Sequence, residues 1–263
     1  MRLNIGAKLS LTAFGLLILI AVLAPVIAPF DPWYMDIPYM APDSVHLLGT
    51  NDLGQDILSE LIYGFRVSMF IGITSSVIVT VIASLLGMVA GYYGGLVDKL
   101  ITAFINIGMT VPDLPLTIVM VAFFKPSLWN IIAAICITGW TSTARMIRAR
   151  TLQLKDSYYV QNAKLFGGSD LYIMFRHILP NAGDLVFVKG SLSVASAMVT
   201  EASLSYLGLG SPFYKSWGMI LRDAFNAGGI LNNYWWWYIP PILCICISIF
   251  IVSFLSNSLK NMK

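Results

Sequence analysis

Six stretches of this chain, 9–30, 68–92, 100–124, 128–144, 185–207 and 238–257, are apolar almost without interruption. Each approaches the roughly 20 residues that a helix needs to cross the hydrocarbon of a bilayer. Only 11% of the 263 residues are charged, against about a quarter in a soluble domain, so lipid is the natural solvent. The expectation is an all-α membrane protein with six transmembrane helices. No internal repeat divides it, so 1–263 reads as one membrane domain, with an N-terminal helix and outer loop (1–67) and a core (68–263). Arg2 and Lys8 could open a cleaved leader. The first apolar run is long for one and five more follow, so it is expected to stay.

Lys and Arg set the orientation. With the N-terminus inside, the inner pieces hold Arg2, Lys8, Lys99, Arg145, Arg148, Arg150, Lys155, Lys164, Arg176, Lys189, Lys260 and Lys263. The outer pieces hold Arg66, Lys125, Lys215 and Arg222. The bias puts both termini and residues 145–184 in the cytoplasm. Trp33, Tyr34, Trp129 and Trp235 to Trp237 then fall at outer interfaces, as an aromatic belt would. The outer segment DPWYMDIPYMAPDS is turn-like and is expected to be ordered only by packing. From Asp52 onward, Leu53, Ile57, Leu58, Leu61 and Ile62 predict a short amphipathic helix on the membrane surface. A net charge of +3 points to no nucleic-acid partner.

Within the spans, Gly87, Gly91 and Gly95 share one helix face and permit close packing. TVPDLPLT places Pro112 and Pro115 around Asp113, so the third helix should kink or loosen there. Asp113 then caps the broken helix or lines a polar pathway, with an ion site as the less favoured reading. The fifth span is rich in small residues, Ser196 and Thr200 among them, and belongs inside the bundle or at a subunit interface. Its Glu201 either lines the pathway or holds the LSYLGLG turn. The chain has no GxxxxGK[ST] phosphate loop and no HExxH, so neither ATP hydrolysis nor metalloprotease chemistry is expected of it alone. Cys136, Cys244 and Cys246 read as small apolar residues, and no metal site is expected.

One segment breaks the apolar pattern: YYVQNAKLFGGSDLYIMFRHILPN, residues 158–181. Val160, Ala163, Leu165 and Phe166 give one short apolar face. Gly167 and Gly168 supply a turn. Leu171, Met174, Phe175 and Ile178 follow at helical spacing, and Pro180 is expected to end the second helix. A helix–turn–helix on the cytoplasmic side either packs on its own chain and the lipid surface or fits a groove on a partner.

Here QNAKLFG followed by HILPN resembles the cytoplasmic loop of ABC importer permeases. HLLGTNDLGQDILSELIYGFRVS (46–68) and EASLSYLGLGSPFYKSWGMIL (201–221) resemble two signatures of the dipeptide/oligopeptide/nickel branch, C-type subunit. The resemblance implies a coupling-helix loop between helices four and five. Gln161, Asn162, Ala163, Lys164, Phe166 and Gly167 would meet an ATPase. Asp113, Ser196, Thr200 and Glu201 would line the path. It also implies a second homologous permease, two cytoplasmic ABC ATPases that bind ATP and Mg, an extracytoplasmic substrate-binding protein, and the plasma membrane of a prokaryote. No cofactor is implied in this chain. Peptides are the first expectation for cargo, and nickel or a metal chelate the second. A stand-alone secondary transporter using Asp113 and Glu201 is the alternative of a different class. Four departures stand out. Gln161 replaces the family's usual Glu, Asn51 its Asp, and Gln55 and Glu60 two arginines. The last three are expected to alter the charge of an outer surface.

Overall fold

The computed structural model describes residues 5–124 and 126–260; Arg2, Lys125 and Lys263, which enter the charge bias above, lie outside the described residues, as does the side chain of Lys260. Among the described residues every element is helical, and the sole extended pairing is a single bridge between Thr50 and Asp56.

The first helix, α1, spans Ile5–Ile27, and α2 spans Ile57–Tyr93. Thirty-seven residues make α2 long. At about 1.5 Å per residue it runs roughly 55 Å, well past a hydrocarbon core of about 30 Å. The expected surface helix from Asp52 is therefore not a separate element. The Asp56 carboxylate caps α2 by accepting the Ser59 amide at 2.8 Å, so Ile57 to Ile62 are its first turns and Leu53 sits in the preceding turn. The division at 67/68 falls inside this helix.

The expected third span is broken. Helix α3 (Gly95–Thr110) and helix α4 (Asp113–Phe123) meet at 88° across Val111 and Pro112. Proline at 112 offers no amide to continue the ladder and disfavours helical backbone before it. The fourth apolar run divides as well, into α5 (Leu128–Gly139) and α6 (Thr141–Lys155). The 12 residues of α5 are too few to cross alone, and α6 carries Arg145, Arg148 and Arg150. Among the described residues, four helices are long and apolar enough to span by length and composition, or five with the bent pair, where six are expected.

A short helix, α7 (Tyr158–Leu165), and α8 (Asp170–Ile173) follow. A π-helical turn, Met174–Ile178, leads without a break into α9 (Leu179–Tyr206). The predicted stop at Pro180 does not occur, because proline is tolerated in the first turn of a helix and the wider turn before it relieves the backbone. Helices α10 (Trp217–Asn226) and α11 (Trp235–Lys260) complete the chain.

Helix α2 is the axle. It packs along α6 on one side and α9 on another, and glycines set the distance. A Cβ on Gly87 would lie 2.6 Å from the Ala144 carbonyl oxygen, and one on Gly91 2.7 Å from Thr151 Cβ. A Cβ on Gly72 would lie 2.6 Å from Met198 of α9. Gly95 differs from the other two of its predicted set, since it meets nothing and turns the chain into α3 with φ +57°. The small residues of α9 place it inside the bundle, where the Gly190 carbonyl accepts the Ser76 hydroxyl at 2.6 Å.

At one end the segment 28–56 folds over the helix ends. It is pinned by hydrogen bonds rather than by packing alone. Thr50 donates its amide to Met40 and its hydroxyl to Ile37, and Asp36 N–H reaches Gly54. Asp43 accepts the amides of His46 and Val45, and the His46 amide is the main cause that holds its carboxyl below the ordinary value. Beneath this cap lies a buried polar cluster. Lys215 Nζ sits 2.5 Å from Glu60 and donates to Gln55 at 2.7 Å, while Asn51 donates to both Gln55 and Glu60. All four are at most 5% exposed. The substituted positions Asn51, Gln55 and Glu60 therefore do not alter an outer surface; they form an interior network closed by Lys215. Trp237, expected in the aromatic belt, is likewise wholly buried, with its ring edge toward Tyr39.

Two outcomes follow. Gly91→Leu forces α2 away from the Arg148 and Thr151 backbone, and overpacking of this kind costs about 1–3 kcal/mol; thermal unfolding in detergent should show a lowered midpoint, with Gly15→Leu, which faces open space, as the neutral control. Lys215→Ala strands the buried Glu60 carboxylate at a cost of about 3–5 kcal/mol, and adding Glu60→Gln should recover most of it.

Candidate functional site

Besides the buried cluster under the cap, two polar places stand out among the described residues: a cleft inside the bundle and a hairpin at the end remote from the cap. The cleft forms where helices break. The α3–α4 bend delivers Asp113 at the first turn of α4, and the α5–α6 joint delivers Thr138 and Thr143. The middle of α9 supplies the opposite wall with Lys189, Ser196 and Thr200. Together they enclose about 170 Å³. Thr117 fixes the bend by donating to the Asp113 carbonyl at 2.6 Å and lies 3.2 Å from the Thr138 hydroxyl. Thr200 donates back to the Ser196 carbonyl at 3.0 Å, leaving its oxygen as an acceptor. The lining is thus hydroxyl-rich, with one carboxylate and one ammonium.

Of the four residues singled out for a path, Asp113, Ser196 and Thr200 share this cleft, and Glu201 does not. Glu201 is 1% exposed and faces the other way. It accepts the hydroxyls of Ser68 at 3.0 Å and Ser205 at 2.7 Å. That geometry ties α2 to the end of α9 and fits the turn-holding reading of Glu201. The sequence reading did not place Lys189 on this path and counted it only among the charges of the inner pieces. The signal was available: Lys189, Leu192, Ser193, Ser196 and Thr200 recur at three- and four-residue spacing.

The hairpin is built by a Schellman closure. Gly168 N–H bonds the Ala163 carbonyl at 2.9 Å, Gly167 N–H bonds Lys164 at 3.0 Å, and Gly167 has φ +79°. Gly167 is therefore required for its left-handed backbone. A Cβ there would meet nothing, so closeness of approach is not the reason. The expected apolar face splits in two. Val160 is buried and Ala163 packs beside it, whereas Leu165 and Phe166 are 83% and 92% exposed. Gln161, Asn162 and Lys164 are also exposed, and Gln161 bonds the Asp156 carbonyl at 3.2 Å. The second stripe splits too. Met174 and Ile178 are buried while Leu171 and Phe175 remain half exposed or more, and Ile173 joins the buried set. The π-helical turn shifts the register that a plain helix would keep.

The buried half of the hairpin joins Met88 and Tyr92 of α2 and Ile147 of α6 in one cluster. Tyr92 OH donates to Asp170 at 2.8 Å. From the same side, Arg148 of α6 grips Asp98 of α3 through both carboxylate oxygens, and Arg145 reaches Asn106 at 2.7 Å. A continuous set of contacts therefore runs from the hairpin through α6 to α3, whose far end is the bend that carries Asp113.

Residues 83–261 match the family model described as "Binding-protein-dependent transport system inner membrane component". The chain is 35% identical to the oligopeptide transport system permease protein OppC of Bacillus subtilis, over 99% of this chain and 85% of that protein. It is 37% identical to the dipeptide transport system permease protein DppC of Haemophilus influenzae, over 84% and 78% of the two chains. It is 34% identical to the glutathione transport system permease protein GsiD of Pectobacterium atrosepticum, over 94% and 82%. In fold it resembles a chain of the MetNI methionine ABC transporter, with a TM-score of 0.62 at 16% identity, covering 75% of this chain and 93% of that one.

Gly167→Val strains the left-handed turn by about 1–3 kcal/mol. Amide exchange at 163–168 should accelerate several-fold while the cluster around Ile147 and Ile173 stays protected.

Proposed function

We propose, for a chain that belongs to the binding-protein-dependent inner-membrane transport family and to its peptide-permease branch, that it is the membrane-spanning permease subunit of an ATP-driven importer of short peptides. The observation that carries this reading is the near-complete coverage of the chain by an oligopeptide permease at 35% identity. The cleft supports it: hydroxyls from α4, α5, α6 and α9 give a hydrogen-bonding lining suited to amide groups, with Asp113 and Lys189 for charged ends.

The rest follows as one mechanism. A second, homologous permease completes the path, and six crossings result if α3–α4 and α5–α6 each traverse once. The hairpin faces the cytoplasm with both termini, as the Lys and Arg bias requires. Its exposed tip, Gln161, Asn162, Lys164, Phe166 and the Gly167 turn, seats in a groove on one of two ABC ATPases. These partners hold ATP and Mg. Ala163 faces inward and joins the tip to the bundle. Closure of the ATPases moves the hairpin, and the packed α2–α6 unit carries that movement to the α3–α4 bend. An extracytoplasmic binding protein delivers the peptide at the capped end. Coupling requires that the tip contact the ATPases differently in their two states.

The test is uptake by the importer reconstituted in vesicles with its ATPases and binding protein. Di- to pentapeptides should enter only with ATP inside, and excess peptide should compete. Uptake by this chain alone without ATP, or uptake of nickel with no effect of peptide, would contradict the proposal. Asp113→Asn should lower the peptide rate by about tenfold or less, the range of one ionic contact at a partly wet site.

A further inference from the structure

Arg66 is an exposed cation on α2 that makes no ion pair or side-chain hydrogen bond among the described residues. It lies where two cavities meet, and the second of them runs on into a third. Toward the cap it borders an aromatic cleft of about 540 Å³ with Trp33, Tyr63, Trp129 and Tyr214. In the other direction it opens a groove of about 250 Å³ between α1 and α2, lined by Ile18, Val22, Met69 and Ile73. Arg66 and Phe70 belong to both. Ile18 and Ile73 in turn border a third, apolar groove of about 430 Å³ that continues past Val77 and Val81. No Asp or Glu among the described residues lines any of the three. Lys215 also borders the aromatic cleft, but Glu60 matches its charge.

We infer that this track is a binding site for one anionic phospholipid, with its phosphate on Arg66 and an acyl chain laid along α1 and α2. Three features select that occupant. The positive charge is unmatched and its surroundings hold no carboxylate. Tyr and Trp side chains gather at the same level, where an interfacial belt places them. The apolar track below has the right reach: Arg66 and Val77 lie about 16 Å apart along the helix, against about 15 Å of hydrocarbon in one leaflet. A peptide substrate would find no carboxylate for its amino terminus and only a few hydroxyls, Ser76, Thr80 and Ser191, along the lower track, and a soluble anion would leave it empty. The site is separate from the polar cleft of the permease reading and does not depend on it.

Native mass spectrometry of the full chain, purified with its co-expressed partner subunits, tests this with phosphatidylglycerol and phosphatidylcholine as probes. One phosphatidylglycerol should bind in preference to phosphatidylcholine and persist through detergent exchange. Arg66→Gln should weaken it about fivefold, as expected for one interfacial cation, and Arg66→Lys should restore it. Ile73→Trp, which fills the groove and keeps the charge, should also reduce binding, so the inference is tested even if Arg66→Gln fails to fold. Equal retention of both lipids, unchanged binding in both variants, or disulfide cross-linking of Ile18→Cys to a partner permease helix would overturn it.

Discussion

The structure depends on the closeness of α2 to its two neighbours. Gly87 and Gly91 let the α6 backbone approach where no side chain fits, and Gly72 admits Met198 of α9. Lipid supplies little drive for helices to associate, so contact area and polar ties must do it. Here the ties lie at both ends of the same helix. Glu60 holds Lys215 at the capped end, Ser68 reaches Glu201 below it, and Tyr92 reaches Asp170 at the hairpin. A helix longer than the membrane is thick thereby connects the two surfaces of the protein.

That connection supports the mechanical role proposed for the hairpin. Its inner face is part of the bundle core and its outer face is bare. Val160, Ile173 and Ile178 are at most 2% exposed, beside a tip at 92%. An element that was exposed on all sides would yield when pushed, and one buried on all sides could not be reached. The polar grip of Arg148 on Asp98 extends the rigid unit to α3. The cleft residues Asp113 and Thr117 stand just beyond the end of that unit, at the 88° bend between α3 and α4.

Much of this was legible in the sequence because it is written in residue type. Apolar runs gave the helices, the prolines around Asp113 gave the break, and the paired glycines at 167 and 168 gave the hairpin turn. What was not legible depends on through-space partners. The substitutions at Asn51, Gln55 and Glu60 look like surface charge changes in a linear reading. Only folding brings Lys215, 155 positions beyond Glu60, against them and makes them interior. The π-helical turn at 174–178 leaves no pattern that a helical period can detect, so the stripe could not separate the buried Met174 and Ile178 from the exposed Leu171 and Phe175. Lys189 was counted only as an inner charge, whereas its position on the α9 face sets it in the cleft. Hydropathy registers apolar length and not direction, so it could not show that the third apolar run bends by 88° or that the fourth divides into α5 and α6.

The central claim is that the hairpin drives the cleft through its packing on α2 and α6. The most direct measurement is the number of peptides imported per ATP hydrolysed by the reconstituted importer carrying Val160→Ala, which loosens the buried face and leaves the tip intact. The account predicts that this ratio falls while ATP hydrolysis continues. An unchanged ratio would contradict it.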